Sequence, residues 1–139
     1  MPFSKKKYSL GIIAGSFDVI HPGYINMFIS AKKFCDKLLI ALHDNPNKFN
    51  SKKLKPVQTI NERKLILKSI KYIDLIKIYK TEDDLFKILS KKNINVRFLG
   101  DDYKNKQYTG MNLNIPIIWI KRNHHYSTTN LKKKIFKSF

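Results

Sequence analysis

The stretch from Leu10 to Phe34, LGIIAGSFDVIHPGYINMFISAKKF, decides the fold. Leu10 to Ala14 is a short apolar run of buried-strand character, ended by Gly15 and Ser16. Beyond Phe17, Asp18, Val19, Ile20 and the turn His21-Pro22-Gly23-Tyr24, apolar residues recur at Ile25, Phe28, Ile29 and Ala31 with a helical period, and Lys32 and Lys33 fall on the other side. The pattern is strand, glycine turn, helix N-terminus. Such a junction suits an anion, because unpaired backbone N–H groups project from the first helical turn and the helix dipole favours negative charge by about 0.3–1 kcal/mol per interaction. Gly15 allows a ligand close to the backbone. Pro22 fits a first helical turn, where its missing N–H is not needed. His21 distinguishes this turn from the glycine that ends many α/β strands, since an imidazole placed there can donate to phosphate oxygens.

Outward from this unit the alternation continues. Residues 37–42, KLLIAL, read as a second buried strand, giving a βαβ unit with parallel strands. Residues 43–58 lose periodicity and form a lysine-bearing loop of a length that points to function. Thr59-Ile60-Asn61-Glu62 is a capping box opening a helix to about Lys71, with Leu65, Ile66 and Ile70 on its apolar face. Residues 74–79 are a third strand. Thr81 caps a helix whose first turn carries Glu82, Asp83 and Asp84 and which runs to about Lys91. Residues 96–99 are a fourth strand, 103–114 a polar loop, 115–120 a fifth strand carrying Trp119, and Ser127-Thr128-Thr129 begins a last helix reaching Phe136. The alternation predicts an α/β fold of three layers with a mostly parallel five-stranded sheet, as one domain over residues 1–139. The polar segments after strands one, two, four and five then face one crevice at the carboxyl ends of the strands.

Composition narrows the function classes. Hydrophobic residues make up 42% and aromatic residues 12%, a globular rather than disordered balance. No run reaches the roughly 18 apolar residues of a membrane span. The short apolar segment behind the first lysines reads as a strand, not a signal peptide, and the expected compartment is the cytoplasm. The single cysteine, Cys35, excludes an internal disulfide and a multi-cysteine zinc site; it is read as a core residue of the first helix. The formal net charge is +18, yet arginine occurs only at 63, 97 and 122. Dispersed lysine reads as a solvated surface that steers polyanionic substrates, so nucleic acid is not the expected partner.

Several motifs carry a resemblance. GSFDVIHPGYINMF resembles the nucleotide-binding signature of the cytidylyltransferase family, G-x-F-D-x-x-H-x-G-H followed by an apolar helix. Gly15, Phe17, Asp18, His21 and Gly23 fall in place, and Tyr24 stands where the signature has a second histidine. The stretch around Arg122 to Thr129 resembles R-T-x-G-I-S-T-T. Arg122, Ser127, Thr128 and Thr129 match, while Asn123, His125 and Tyr126 replace threonine, glycine and isoleucine. Residues 52–74 resemble the family segment with triphosphate-contacting lysines and an E-R-x-x-I-L helix, and VRFLGDDY resembles V-x-G-D-D-W, which lies beside the base. The resemblance covers about residues 9–136 and is strongest to bacterial glycerol-3-phosphate cytidylyltransferases.

It implies a Rossmann-like nucleotidyltransferase fold, transfer of CMP from CTP to a small phosphomonoester with release of pyrophosphate, Mg²⁺ carried with the nucleotide, no protein metal site, and a homodimer. Glycerol 3-phosphate is the first acceptor it suggests. The implied catalytic residues are His21, one or more of Lys52, Lys53 and Lys55, and Arg122. The implied nucleotide-binding residues are Gly15, Ser16, Phe17, Asp18, His21, Gly23, Tyr24, Gly100, Asp101, Arg122, Ser127, Thr128 and Thr129. His21 is expected at the α-phosphate, with Tyr24 giving one neutral hydrogen bond or packing against the nucleotide. Other readings stay open: Asp18 as a brace of the turn, Asp101 and Asp102 as strand-end turn residues, Arg63 as a surface ion-pair partner, and His124-His125 as solvent-facing. So do ATP as the nucleotide, a phosphorylated sugar, phosphocholine or phosphoethanolamine as acceptor, and a nucleotide-binding relative with little turnover.

Overall fold

A computed structural model describes residues 6–48, 50–91, 93–122 and 125–139. The elements in chain order are β1 (Tyr8–Gly15), α1 (Pro22–Lys32), β2 (Cys35–His43), α2 (Ile60–Lys68), β3 (Leu75–Tyr79), α3 (Glu82–Leu89), β4 (Val96–Gly100), β5 (Ile117–Ile120) and α4 (Thr128–Lys137). Short 3₁₀ turns cover Pro46–Lys48 and Asp101–Tyr103. The five strands form one sheet in the order β3-β2-β1-β4-β5, and every pairing is parallel. This is the expected α/β arrangement. The chain winds outward from β1 through β2 to β3, then returns to place β4 on the other side of β1. That reversal opens a crevice between the carboxyl ends of β1 and β4, at Gly15 and Gly100.

Side-chain alternation along buried parallel strands makes two cores. On one face Ile13, Leu38, Ile40, Leu42, Val96 and Phe98 pack against Phe28 and Ala31 of α1 and Leu67 of α2. On the other, Leu10, Ile12, Leu39 and Ala41 pack against Leu85, Ile88 and Leu89 of α3.

Four details depart from the sequence reading. Cys35 is the first residue of β2, not part of the first helix, although it is fully buried as expected. The helix ends at Lys32, and the Tyr8 N–H donates to the Phe34 carbonyl, so the sheet takes the chain two residues early. In α2 the inward positions are Arg63 and Leu67, four residues apart, while Leu65 is 70% exposed. The capping box is present as expected, but the helix ends at Lys68, three residues before Lys71, where Ser69 closes it by bonding back to Ile66. Strand β5 begins at Ile117 instead of Ile115. The Pro116 carbonyl accepts from the Arg97 N–H, but proline has no N–H with which to extend the ladder.

Gly11 lies on β1 where the Phe98 ring crosses it; a Cβ there would collide with the ring and lie 3.1 Å from Cys35 Sγ and 3.2 Å from Val96 Cγ1. Those neighbours are fully buried and cannot retreat. Gly11→Ala is therefore expected to destabilise the fold by about 1–3 kcal/mol in urea titration, through overpacking; a loss below about 0.5 kcal/mol would show that the ring has room to shift.

Candidate functional site

The turn leaving β1 is strained. Phe17 has φ 49° and Val19 has φ 52°, both in the left-handed region, which a β-branched residue rarely enters. Such residues cost about 1–3 kcal/mol each and persist only where the surroundings fix them. Here the constraints are visible. The Phe17 ring is buried, 5.4 Å from Tyr24 and 5.8 Å from Phe28. The Val19 N–H donates to Gln58 Oε1 at 3.0 Å. The buried Asp18 carboxylate accepts from the N–H groups of Val57 (2.8 Å) and Gln58 (3.0 Å) and pairs with Lys132 of α4 at 2.7 Å. Asp18 is thus a brace, tying the turn to the end of the lysine loop and to the last helix.

Arg63 completes the frame. It is 2% exposed, and its guanidinium donates to four backbone carbonyls: Ser16 (2.9 Å), His43 (2.7 Å), Asp44 (2.6 Å) and Gln58 (3.1 Å). The surface ion pair considered from sequence is replaced by a buried clamp. Carbonyl acceptors leave no trace in a sequence, since every residue has one. The available signal was the residue type: Arg63 is one of only three arginines in a lysine-rich chain, and arginine offers the planar fork that lysine lacks.

His21 is the N-cap of α1, its Nδ1 accepting from the Gly23 N–H at 3.1 Å. A nitrogen that accepts carries no proton, so in the neutral ring the proton is on Nε2. The imidazole stacks on Tyr24, with centroids 4.3 Å apart. The Tyr24 hydroxyl lies 3.1 Å from Thr128 Oγ1, which donates to the Asp18 carbonyl at 2.9 Å. Thr128 has one hydroxyl proton, directed at an oxygen that can only accept, so Tyr24 is the donor in its own bond. Burial raises the Tyr24 pKa against the opposing effects of Thr128 and the Arg122 charge, which keeps that proton in place. The tyrosine at the second-histidine position therefore joins the start of α1 to the start of α4.

Ser127 caps α4 through Asn130, and Thr129 is exposed beside it. Arg122 follows β5; its N–H donates to Asp101 Oδ1 (3.2 Å) and its guanidinium meets Asp102 Oδ2 (3.6 Å). Gly100 makes room for this, because a Cβ there would lie 2.9 Å from Arg122 Cδ. Asp101 and Asp102 are the turn residues considered from sequence, with Arg122 as their partner. Lys52, Lys53 and Lys55 are exposed on the loop, and the Lys53 charge reaches His43. His125 is exposed; Asn123 and His124 lie outside the described residues. Gln58, Lys132 and the clamp by Arg63 are the parts that the sequence reading missed.

The electrostatics favour an anion. The first turns of α2 and α3 hold Glu62 and Glu82, Asp83 and Asp84, whereas those of α1 and α4 hold no acidic residue. The two helix starts that meet at this site are thus the two left for an outside anion. The one buried carboxylate among them, Asp18, is matched by Lys132.

Burial alone would raise the Asp18 pKa, but the bonds from Lys132, Gln58 and Val57 outweigh it and hold the carboxyl below its ordinary value. A carboxylate with a lower pKa in the folded chain stabilises it above the unfolded value, about 3.9, and loses that contribution as pH falls through the folded one. In urea titrations the stability gap between wild type and Asp18→Asn is expected to stay constant from neutral pH to roughly pH 5 and to shrink below about pH 4. A gap unchanged down to about pH 3 would place the ion pair outside the folding balance.

Comparison with known proteins identifies the family. The sequence matches the cytidylyltransferase-like family over residues 12–135. Glycerol-3-phosphate cytidylyltransferase of Bacillus subtilis (strain 168) is 30% identical over 125 residues, covering 89% of this chain and 95% of that protein. The bifunctional protein HldE of Nitrobacter winogradskyi is 29% identical over 133 residues, covering 90% of this chain and 26% of its own length, so the chain spans about a quarter of that relative. The crystal structure of the lipopolysaccharide core biosynthesis protein from Thermoplasma volcanium GSS1 superposes with a TM-score of 0.64 at 22% identity, covering 81% of this chain and 94% of that one, which is a likeness of fold. With its parallel sheet, its signature turn and a match that runs nearly from end to end, this chain belongs to the cytidylyltransferase-like family.

Proposed function

We propose that the protein transfers CMP from CTP to a small phosphomonoester, with glycerol 3-phosphate the first candidate, and releases pyrophosphate. The observation that carries this reading is the meeting of two acid-free helix starts, held together through Tyr24, Thr128 and the Asp18 carbonyl, with Arg122 close enough for its charge to act on Tyr24. The family and the 30% identity to a glycerol-3-phosphate cytidylyltransferase support the choice of nucleotide and acceptor.

The chemistry needs little from the protein beyond placement and charge. The acceptor phosphate is already a nucleophile near neutral pH, so no general base is required. Its oxygen attacks the α-phosphorus in line; the new P–O bond forms as the bond to pyrophosphate breaks, and the leaving group carries the electron pair away. His21 donates from Nε2 to the α-phosphate, the α1 and α4 starts receive phosphate oxygens, and Arg122 with Lys52, Lys53 or Lys55 offsets charge on the β- and γ-phosphates. Mg²⁺ arrives on the nucleotide as part of the substrate; among the described residues no cluster of three or more metal-ligating side chains is present.

The test is pyrophosphate release from CTP and from ATP across a panel of phosphomonoesters. CTP with glycerol 3-phosphate is expected to be turned over. His21→Ala is expected to lower kcat by about 10²–10³, the effect of removing one donor to developing charge. Tight nucleotide binding with no release for any acceptor would replace the enzyme reading by that of a binding protein. Turnover of ATP alone would reassign the nucleotide.

Tyr24 supplies a second check. Tyr24→Phe keeps the ring on His21 but removes the tether to Thr128, and is expected to raise the KM for the nucleotide roughly fivefold, in line with a lost hydrogen bond of about 1 kcal/mol. Tyr24→His is expected to be impaired as well, because the shorter ring does not reach Thr128. A many-fold gain instead would mark Tyr24 as a weakening substitution.

A further inference from the structure

The last helix contributes nothing to either core. Helices α1, α2 and α3 each bury two or three residues, whereas α4 buries none. Its positions 129, 132, 133, 136 and 137 recur at helical spacing and share one face. On that face Thr129, Lys132, Lys133, Phe136 and Lys137, with Leu54 from the lysine loop, line an open groove of about 450 Å³. Loop and helix are joined at the buried Asp18, whose Oδ2 accepts from the Val57 N–H at 2.8 Å and pairs with Lys132 Nζ at 2.7 Å. The segment from Leu54 to Val57 therefore lies beside α4 on one surface. Apolar side chains stand out from it: Phe136 is 82% exposed, Val57 71% and Leu54 56%. One exposed apolar residue is ordinary, but three gathered on one surface mark a place of contact.

The charge around these side chains has one sign. Residues 45–61 carry four lysines, residues 121–139 carry five lysines and one arginine, and all ten acidic residues of the chain lie outside both stretches. Asp18 offsets Lys132, but among the described residues no carboxylate pairs with Lys133 or Lys137. Such a face is complementary to an anionic layer with an apolar layer beneath it. A nucleic acid fits less well. Leu54 and Val57 are aliphatic and give bases nothing to stack on, and lysine lacks the bidentate fork that grips phosphates.

We propose that α4 and the segment from Leu54 to Val57 form a docking face for an anionic lipid surface. Leu54, Val57 and Phe136 enter the boundary between headgroups and acyl chains, and Lys133 and Lys137 lay their apolar stems along it while their ammonium groups meet lipid phosphates. The protein then lies on the bilayer and does not cross it, for among the described residues no helix is long and apolar enough to span one. This docking is independent of the nucleotidyl transfer proposed above, in which none of these five residues takes part. Thr129 belongs both to the groove and to the start of α4, so the docked face adjoins the proposed phosphate site.

The test is sedimentation of the full chain with vesicles of phosphatidylcholine alone and of equal parts phosphatidylcholine and phosphatidylglycerol, at about 0.15 M salt. Binding to the anionic vesicles is expected to be at least about tenfold stronger than to the neutral ones and to weaken as salt rises. Phe136→Ser, and Lys133→Gln combined with Lys137→Gln, are each expected to lower it at least about fivefold. The replaced side chains are exposed, so urea titration is expected to show wild-type stability, and Leu54→Ser is the second apolar variant should Phe136→Ser fold poorly. Binding to neither vesicle, equal binding to both, or anionic binding that the folded apolar variants leave unchanged overturns the inference. Two other results overturn it by reassigning the face. Binding of single-stranded polyuridylate that the same variants weaken, with the vesicles unbound, gives the face to nucleic acid. A dimer that Phe136→Ser dissociates, with vesicle binding unchanged, gives it to a second copy of this chain.

Discussion

The site depends on one buried cation that has no carboxylate partner among the described residues. Arg63 donates to four carbonyls drawn from the turn after β1, the end of β2 and the loop before α2. A guanidinium suits this because it stays charged when buried and presents its N–H groups in a fixed planar fork. Carbonyl oxygens satisfy those donors without a second buried charge, and the carbonyls in turn are satisfied where no ladder reaches them. A lysine at the same place would offer a point charge on a flexible stem and could not hold the same directions. The clamp, with Asp18 and Gln58, accounts for the survival of two left-handed residues in succession around Asp18. The strain sits in the segment where an incoming phosphate is proposed to bind, which is where strain held by its surroundings is commonly found.

Charge is arranged on the same plan. The formal excess of +18 is mostly lysine on polar faces and says little about a site. The informative contrast is local: two helices begin with acids and two do not, and the two without acids are tied to each other through Tyr24 and Thr128. A lysine surface can concentrate polyanions near the protein, but it cannot choose where they dock.

The order of strands and helices was legible because each rests on local periodicity and punctuation. Gly15 ends a strand, Thr59 and Thr81 open capping boxes, and the acids of α3 stand where the dipole favours them. What was not legible depends on distance in sequence. Arg63 reaches Ser16 across 47 residues and Tyr24 reaches Thr128 across 104, and no local pattern encodes either meeting. Leu65 and Leu67 have the same propensity, and the one that shares the face of the buried Arg63, four residues on, is the one that packs into the core. Arg97 sits within an apolar strand pattern, where a charged residue reads as facing solvent; its burial comes from Tyr108 and Thr109, which a polar loop brings over it. Asp18 was recognised as a possible brace, but its partner Lys132 looked like any other lysine of an amphipathic helix.

The departure at Tyr24 gains a physical meaning from this arrangement. Two helix starts brought side by side place like partial charges together, an unfavourable contact until an anion lies between them. Something must hold them at ligand spacing beforehand, or binding would have to supply that ordering from its own free energy. A histidine at position 24 could donate to phosphate, but its reach is shorter. The tyrosine spans the gap with a neutral hydrogen bond, adds no charge to a site already rich in cations, and stacks on His21 so that the remaining imidazole is held in orientation. In the proposed site, one donor to the ligand is exchanged for a fixed distance between the two walls. For the transfer proposed above, whether that exchange favours catalysis depends on how much of the barrier lies in bringing the acceptor and the nucleotide into line, and where the nucleophile needs no activation that share is large.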